Sequence, residues 1–539
     1  DPMNAFPFDW HTQYPSRRSP VFARNIVATS QPLAAQAGLR MLASGGNAVD
    51  AAIAAAAALT IVEPVSCGLG GDAFAMVWDG HRLHGLNASG TAPASWSLTY
   101  FTRRYGSVFP QRGADTVTIP GAVAGWAALH NRFGRLSLSD CLEPAIELAC
   151  QGFGVTPIVQ TKWAAQVDAL QSQPGFASTF MPHGRAPFVG ERFVLAQAAQ
   201  TLRRIGQSAG RDAYEGQTAE KIVGFLREHG GRMTLADLRE FQPIWVEPIS
   251  REYHGFALHE LPPNGQGIAA LITLGLLDHF DFPSLAPDTV TFFHLPIEAM
   301  KAAFSQVYRH VTDDRHMIIE PVALLDDARL AQLASRIRLD AATDFDQGLP
   351  PAGDTVYLAT ADASGMMVSF IQSNYMGFGS GLVVPDIGVS LQNRGCGFCL
   401  EPNHPNVVAP RKRPFHTIIP AFLTRNGAPQ MCFGVMGGNM QPQGHVQTLL
   451  RMIDHHQNPQ TACDAPRWKV QRGLQISLEP SIPMPVRQGL ADLGHQIVHE
   501  TDSYMDFGSG QFIWRLSDDL ADGYMAASDH RRDGCAVGF

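Results

Sequence analysis

Residues Asp354 to Asn374 read DTVYLATADASGMMVSFIQSN. A run of strand-forming residues breaks at Asp362–Gly365 and resumes to Asn374, which predicts two strands joined by a tight turn. Thr355 stands at the head of the first strand. The residues before it, 346–354, are rich in Asp, Pro and Gly and read as an exposed loop. A threonine between a loop and a buried hairpin has the layout of a self-cleaving N-terminal nucleophile. Breaking the Asp354–Thr355 bond would give Thr355 a free α-amine, of ordinary pKa near ~8, beside its own hydroxyl. One residue would then supply nucleophile and base. A threonine placed there for strand propensity alone would look the same locally, so the rest of the chain has to decide.

Several separate motifs, in order, do so. They are Gly45-Gly46-Asn47-Ala48-Val49-Asp50, Pro120-Gly121-Ala122-Val123-Ala124-Gly125, Leu261-Pro262-Pro263, Lys412-Arg413-Pro414, Gly437-Gly438 and Ala465-Pro466-Arg467. With the 354–374 stretch, they make the chain resemble the γ-glutamyltransferase family of N-terminal nucleophile hydrolases from about Asn25 to Arg531. The resemblance implies an α+β fold, the αββα four-layer sandwich of N-terminal nucleophile hydrolases. It also implies cleavage between Asp354 and Thr355, into fragments 1–354 and 355–539 that stay together as a heterodimer, one interleaved structural unit.

Composition fits this and excludes other classes. The chain has 539 residues, 45% hydrophobic and 17% charged, with a formal charge of −9. That balance gives no basic footprint for nucleic acid. No 18-residue uncharged apolar run reads as a membrane helix. The first residues lack a basic and apolar leader pattern, which reads as cytoplasmic. Eight cysteines are too few for a disulfide scaffold. The single CxxC, Cys396 to Cys399, has no second pair at zinc spacing, so no metal and no cofactor are expected.

Element signals run along the whole chain. Ser30 and Pro32 predict a helix start, Gly45-Gly46 a stop, and Asn47 the cap of an Ala-rich second helix. Residues 73–78 and 81–86 read as a hairpin around Asp79-Gly80. Thr234 with Asp237 reads as a capping box. Long helices are expected over 267–279 and 292–311. Strand patterns dominate after 354, at 382–391, 416–424 and 430–435, before helices return at 441–455 and 484–493. Strands in both parts with helices outside predict two packed sheets.

Acyl transfer needs a nucleophile, a base and donors for the developing oxyanion. The resemblance assigns these to Thr355, to its α-amine held by Asn374, and to the backbone N–H groups of Gly437 and Gly438. Gln372 falls where the family carries a threonine that supports the nucleophile hydroxyl. At the substrate end, Ser89 falls at the place of the family's carboxylate-binding arginine. Residues 393–398 contain no acid at the place of its ammonium-binding aspartate, and His416-Thr417 replace a pair of serines. Both halves of a clamp for a zwitterion are expected to be missing. Arg394, able to hold a carboxylate bidentately, is the candidate grip, with His416, Thr417 and Ser89 around it.

The expectation is an autoprocessing amidohydrolase working through a threonyl acyl-enzyme. The altered clamp is similar to the branch of the family that hydrolyses oxamate to oxalate and ammonia in purine degradation. Glutathione or γ-glutamyl hydrolysis or transfer, and cephalosporin side-chain removal, are the alternatives within the family; an inactive metabolite-binding scaffold is the alternative outside it. The expected partners are a small amide and the chain's own two fragments, with higher oligomers allowed and no nucleic acid or membrane.

Overall fold

The computed structural model describes residues 6–348, 353–498, 500 and 507–539. Residues 349–352, in the loop expected before Thr355, lie outside the described residues. The first helix is Pro32–Ala43, and its cap is Gln31, whose side chain accepts from the N–H groups of Leu33 and Ala34. Ser30, expected as the cap, instead donates its hydroxyl to Glu63 Oε1 at 2.8 Å. The second helix, Ala48–Val62, starts at the capping box of Asn47 and Asp50, and all 15 of its residues are buried. A run of alanines makes that burial feasible, because small side chains let neighbouring backbones approach closely.

The predicted hairpin forms from the strands Asp354–Ala361 and Met367–Tyr375. Its turn docks on the start of the Ala-rich helix. Asp362 Oδ2 accepts from Ala48 N at 2.8 Å, and Thr360 Oγ1 donates to the Ala48 carbonyl at 2.6 Å. These bonds satisfy helix-end and loop groups that burial would otherwise leave unpaired.

Two seven-stranded antiparallel sheets carry the architecture. The first runs, in spatial order, Cys535–Gly538, Ile26–Thr29, the two hairpin strands, Asp72–Trp78, Leu83–Ala88 and Ile244–Val246. The second runs Val21–Ala23, Tyr524–Ser528, Ser509–Arg515, Ala428–Met436, Ala421–Arg425, Phe256–Glu260 and Ile249–Tyr253. Each sheet takes strands from both sides of residue 354. Helices Pro32–Ala43, Ala48–Val62, Ala122–Phe133 and Leu138–Gln151 cover the outer face of the first sheet. Helices Ile268–Leu277, Val290–His310 and Met440–His455 cover the outer face of the second. Phe74, Tyr357, Ile371, Phe422 and Ile513 fill the layer between the sheets. This is the expected αββα sandwich.

The single strand expected over 382–391 is not formed. Val383–Val384 and Val389–Ser390 make a small ribbon instead. Pro385 supplies no N–H to a ladder, and Gly388 takes φ 63°, so the chain turns between them. Among the described residues no helix is long and apolar enough to cross a membrane.

Contact between the sheets is close where the hairpin passes under Ala428–Met436. Tyr357 Oη pairs with Ser369 Oγ at 2.7 Å. A Cβ added at Gly434 would meet the Tyr357 ring at 2.5 Å. Gly434→Ala is therefore expected to lower stability by about 1–3 kcal/mol through overpacking, measured by urea unfolding. An unchanged midpoint would show that the ring has room to move.

Candidate active site

The register of the hairpin slips at Thr355, the expected nucleophile. Asp354 pairs with Tyr375 and Val356 with Gln372, so Ser373 and Asn374 together face Thr355. Such a bulge re-aims side chains beside a site. The Ser373 hydroxyl becomes the centre of the network. It donates to the carbonyl of Asp354 at 2.6 Å. It accepts from Thr355 Oγ1 at 3.1 Å and from Tyr375 N at 2.7 Å. The carbonyl that Thr355 would attack is thus already held by a hydroxyl donor, and the attacking hydroxyl is held by the same atom.

Strand alternation sets which side chains share this face. Ile371 packs in the layer between the sheets, whereas Phe370 and Val368 face the helices. Gln372 follows the even positions. Its Nε2 donates to the Ala56 carbonyl at 2.7 Å, and its Oε1 accepts from Trp126 Nε1 at 3.2 Å. Gln372 thus binds the helix layer and has no hydrogen bond to Thr355. Asn374 likewise donates to Ser390 Oγ at 2.9 Å, beside Gly68 and Gly71. The hydroxyl that meets Thr355 belongs to Ser373, which lies between these two residues in sequence and on the opposite strand face, while Asn374 Oδ1 has no hydrogen-bond partner among the described residues.

Gly437 and Gly438 follow directly on the strand Ala428–Met436. They take φ 124° and 59°, a region that favours glycine. Cys432 lies against the Thr360 carbonyl and Gly434 against Tyr357. The strand thus runs toward the head of the hairpin, and the glycine pair comes to the Thr355 end. Gln266 fixes this turn by donating to the carbonyls of Gly438, at 2.9 Å, and Thr417, at 2.7 Å.

A buried acid does meet Arg394, but it comes from a different strand. Asp72 heads Asp72–Trp78 and pairs directly with Ser373. Its Oδ2 accepts from Arg394 Nε at 3.2 Å and from His416 Nε2 at 2.6 Å. All three side chains are fully buried. Arg394 also donates to Thr417 Oγ1 at 2.9 Å, and its guanidinium lies 4.3 Å from the centre of the Tyr375 ring. Tyr375 holds φ 78°, strained for a non-glycine residue, where it pairs with Asp354.

Electrostatics follow from this packing. Burial alone would raise Asp72, but His416 and Arg394 outweigh it and hold the carboxyl below its ordinary value. Burial, helped by Arg394, pushes His416 down to about 4. The imidazole is neutral near pH 7 and acts as a donor to Asp72. Two buried polar atoms, Arg394 Nη2 and Asp72 Oδ1, have no hydrogen-bond partner among the described residues. Ser89 is not a comparable grip, because its hydroxyl donates to Asn87 Oδ1 at 2.6 Å and accepts from Asn264 Nδ2 at 3.2 Å.

Asp72, Ser373 and Tyr375 escaped the sequence reading. Asp72 had one signal: a carboxylate inside an otherwise apolar buried strand, next to Gly70-Gly71. A second buried titratable trio, His294, Glu298 and His495, has ligand-type atoms within 4.8 Å of one another. There Lys301 Nζ already stands 2.8 Å from Glu298 Oε1 as the cation.

Asp72→Ala would leave the Arg394 guanidinium buried without its acid. Loss of about 3–5 kcal/mol is expected, read as a lower urea midpoint. A shift under 1 kcal/mol would mean that water reaches this pair freely.

The comparisons with known proteins agree with this architecture. The family model described as gamma-glutamyltranspeptidase matches residues 34–539. The glutathione hydrolase-like YwrD proenzyme of Bacillus subtilis is 36% identical over 533 residues, covering 97% of this chain and 100% of that protein. The oxamate amidohydrolase proenzyme of Klebsiella pneumoniae is 34% identical over 535 residues, covering 97% and 99%. A crystal structure of cephalosporin acylase from Bacillus halodurans superposes with a TM-score of 0.94 at 46% identity, covering 99% of both chains. With its sequence matched almost end to end and its sheets and helices laid out in the same way, the chain belongs to the gamma-glutamyltranspeptidase family of N-terminal nucleophile hydrolases.

Proposed function

We propose that this autoprocessing amide hydrolase cuts a small amide whose acyl group carries a carboxylate, with oxamate as the first substrate to test. The observation that carries this reading is the pair of unpartnered atoms, Arg394 Nη2 and Asp72 Oδ1. They lie one strand from the hydroxyl that touches Thr355, since Asp72 pairs with Ser373. Oxamate offers a carboxylate for the first and an amide N–H for the second. Its carboxylate is bonded directly to the scissile carbonyl, which suits a grip so near the nucleophile.

The mechanism follows from the same residues. After cleavage, the Thr355 α-amine takes the hydroxyl proton as Oγ1 attacks the amide carbonyl, and returns it to the departing nitrogen. The N–H groups at Gly437-Gly438 receive the oxyanion. Water then hydrolyses the acyl ester on Thr355. Ser373, held by Tyr375 N, steadies the nucleophile hydroxyl, the part the sequence had assigned to Gln372.

A second reading has its own support. Arg394 and Asp72 together supply the cation and the anion that a γ-glutamyl zwitterion requires, although they come from other elements than expected. The similarity to the YwrD proenzyme and to cephalosporin acylase points toward larger acyl groups.

Purified protein is expected to give two fragments, the smaller beginning at Thr355, and Thr355→Ala to remain whole. N-terminal sequencing decides this, and an active mature enzyme starting elsewhere removes Thr355 as nucleophile. Mature protein is expected to release ammonia from oxamate with kcat/KM at least ~10-fold above that for a γ-glutamyl anilide. Equal efficiencies would favour the zwitterion reading, and no ammonia would remove oxamate. Arg394→Lys keeps the charge but loses the planar fork; it should raise KM for oxamate about 10-fold while self-cleavage proceeds.

A further inference from the structure

Behind the scissile bond, on the helix side of the hairpin, lies a buried charge cluster that turnover does not use. Asp354 Oδ1 accepts from Thr355 N at 2.9 Å and stands 2.9 Å from Lys162 Nζ. Lys162 is 4% exposed and belongs to the helix Pro157–Ala164. That helix is pinned at its start by Asp533, whose carboxylate accepts from Ile158 N and Val159 N. It is pinned near its end by Trp163, which donates to the Phe180 carbonyl at 3.0 Å. Glu63 completes the cluster: its Oε1 accepts from Ser30, and its buried Oε2 has no hydrogen-bond partner among the described residues.

The scissile peptide is therefore held at both ends. Its carbonyl accepts from Ser373, and its N–H donates to the side chain of the residue just before it. An aspartate folds back on the following N–H in only some of its rotamers, and a buried carboxylate without a cation would protonate or leave. Burial would raise Asp354, but Lys162 and Arg532 outweigh it and keep the carboxylate ionised. Lys162 stands in direct contact with it.

We propose that Lys162 is a positioning residue for self-cleavage: through Asp354 it orients the Asp354–Thr355 peptide for attack and then faces the new terminal carboxylate. The proposal rests on Thr355 being the nucleophile. In the step concerned, a bond forms between Thr355 Oγ1 and the Asp354 carbonyl carbon. The bond from that carbon to Thr355 N breaks, and the proton lost by Oγ1 ends on that nitrogen. Water then splits the ester, which frees the hydroxyl and leaves a second carboxylate on Asp354. That product charge arises in a buried place already furnished with a cation.

The test follows freshly purified full chain by intact mass over time. Wild type is expected to cleave at Thr355, Lys162→Met at least 10-fold more slowly, and Lys162→Arg at a rate between them. The Met variant's molecules, once cleaved, are expected to turn over substrate at the wild-type kcat, because Lys162 touches no substrate; a general structural defect would lower both. Should Lys162→Met not fold, Lys162→Met combined with Asp354→Asn removes both charges and is expected to cleave more slowly than wild type. Wild-type cleavage rates in a folded Met variant or in the double variant would overturn the proposal. Wild-type cleavage at another bond would instead overturn the assignment of Thr355.

Discussion

The Ser373 hydroxyl joins three things that must coincide: the Asp354 carbonyl, the Thr355 hydroxyl and the Tyr375 N–H. One oxygen carries one proton and two lone pairs, and here all three are used. In the proposed self-cleavage this fixes the attacking atom and the attacked group relative to each other without a separate side chain for each. It depends on the bulge opposite Thr355, because a regular ladder would set one residue, not two, against the nucleophile.

The same strand separates chemistry from support. Residues on its inner face meet the layer between the sheets and the substrate end, where Asp72 and Arg394 stand. Residues on its outer face, Gln372 among them, tie the strand to the Ala-rich helix. The helix can come this close because it is built of alanines that are buried throughout. Behind it the Lys162–Asp354 ion pair holds the scissile peptide from the other side. Thr355 sits between two polar networks, that of Ser373 and Asp72 on one side and that of Lys162 and Asp354 on the other.

Charge balance explains the proposed substrate end. Asp72 and Arg394 neutralise each other inside the protein, and His416 stays neutral because burial forbids its second proton. What the pair leaves unpaired among the described residues is directional: the Arg394 Nη2 group as donor and one buried carboxylate oxygen of Asp72 as acceptor. A site of this kind selects by hydrogen-bond geometry more than by net charge.

Legible in the amino-acid pattern were the αββα layers, the hairpin, the cap at Asn47, the capping box at Thr234, and Thr355 as the residue to watch. These rest on local patterns: alternation, turn residues, caps, and motifs spread along the chain. The hydroxyl that bonds Thr355 belongs to Ser373, the neighbour of the expected Gln372; the pattern does not single it out, because in a strand buried on both faces neither alternation nor residue type marks which face is the site, and a bulge shifts the count. Nor was Asp72 legible in the pattern. That carboxylate is about 320 residues from Arg394 in sequence, and the two meet only because Asp72–Trp78 pairs with Met367–Tyr375. Lys162 meets Asp354 for a similar reason, through a helix whose sequence carries no sign of its partner. Which charges neutralise each other inside the fold is decided by strand order and helix docking, and those exist only once the tertiary structure has formed.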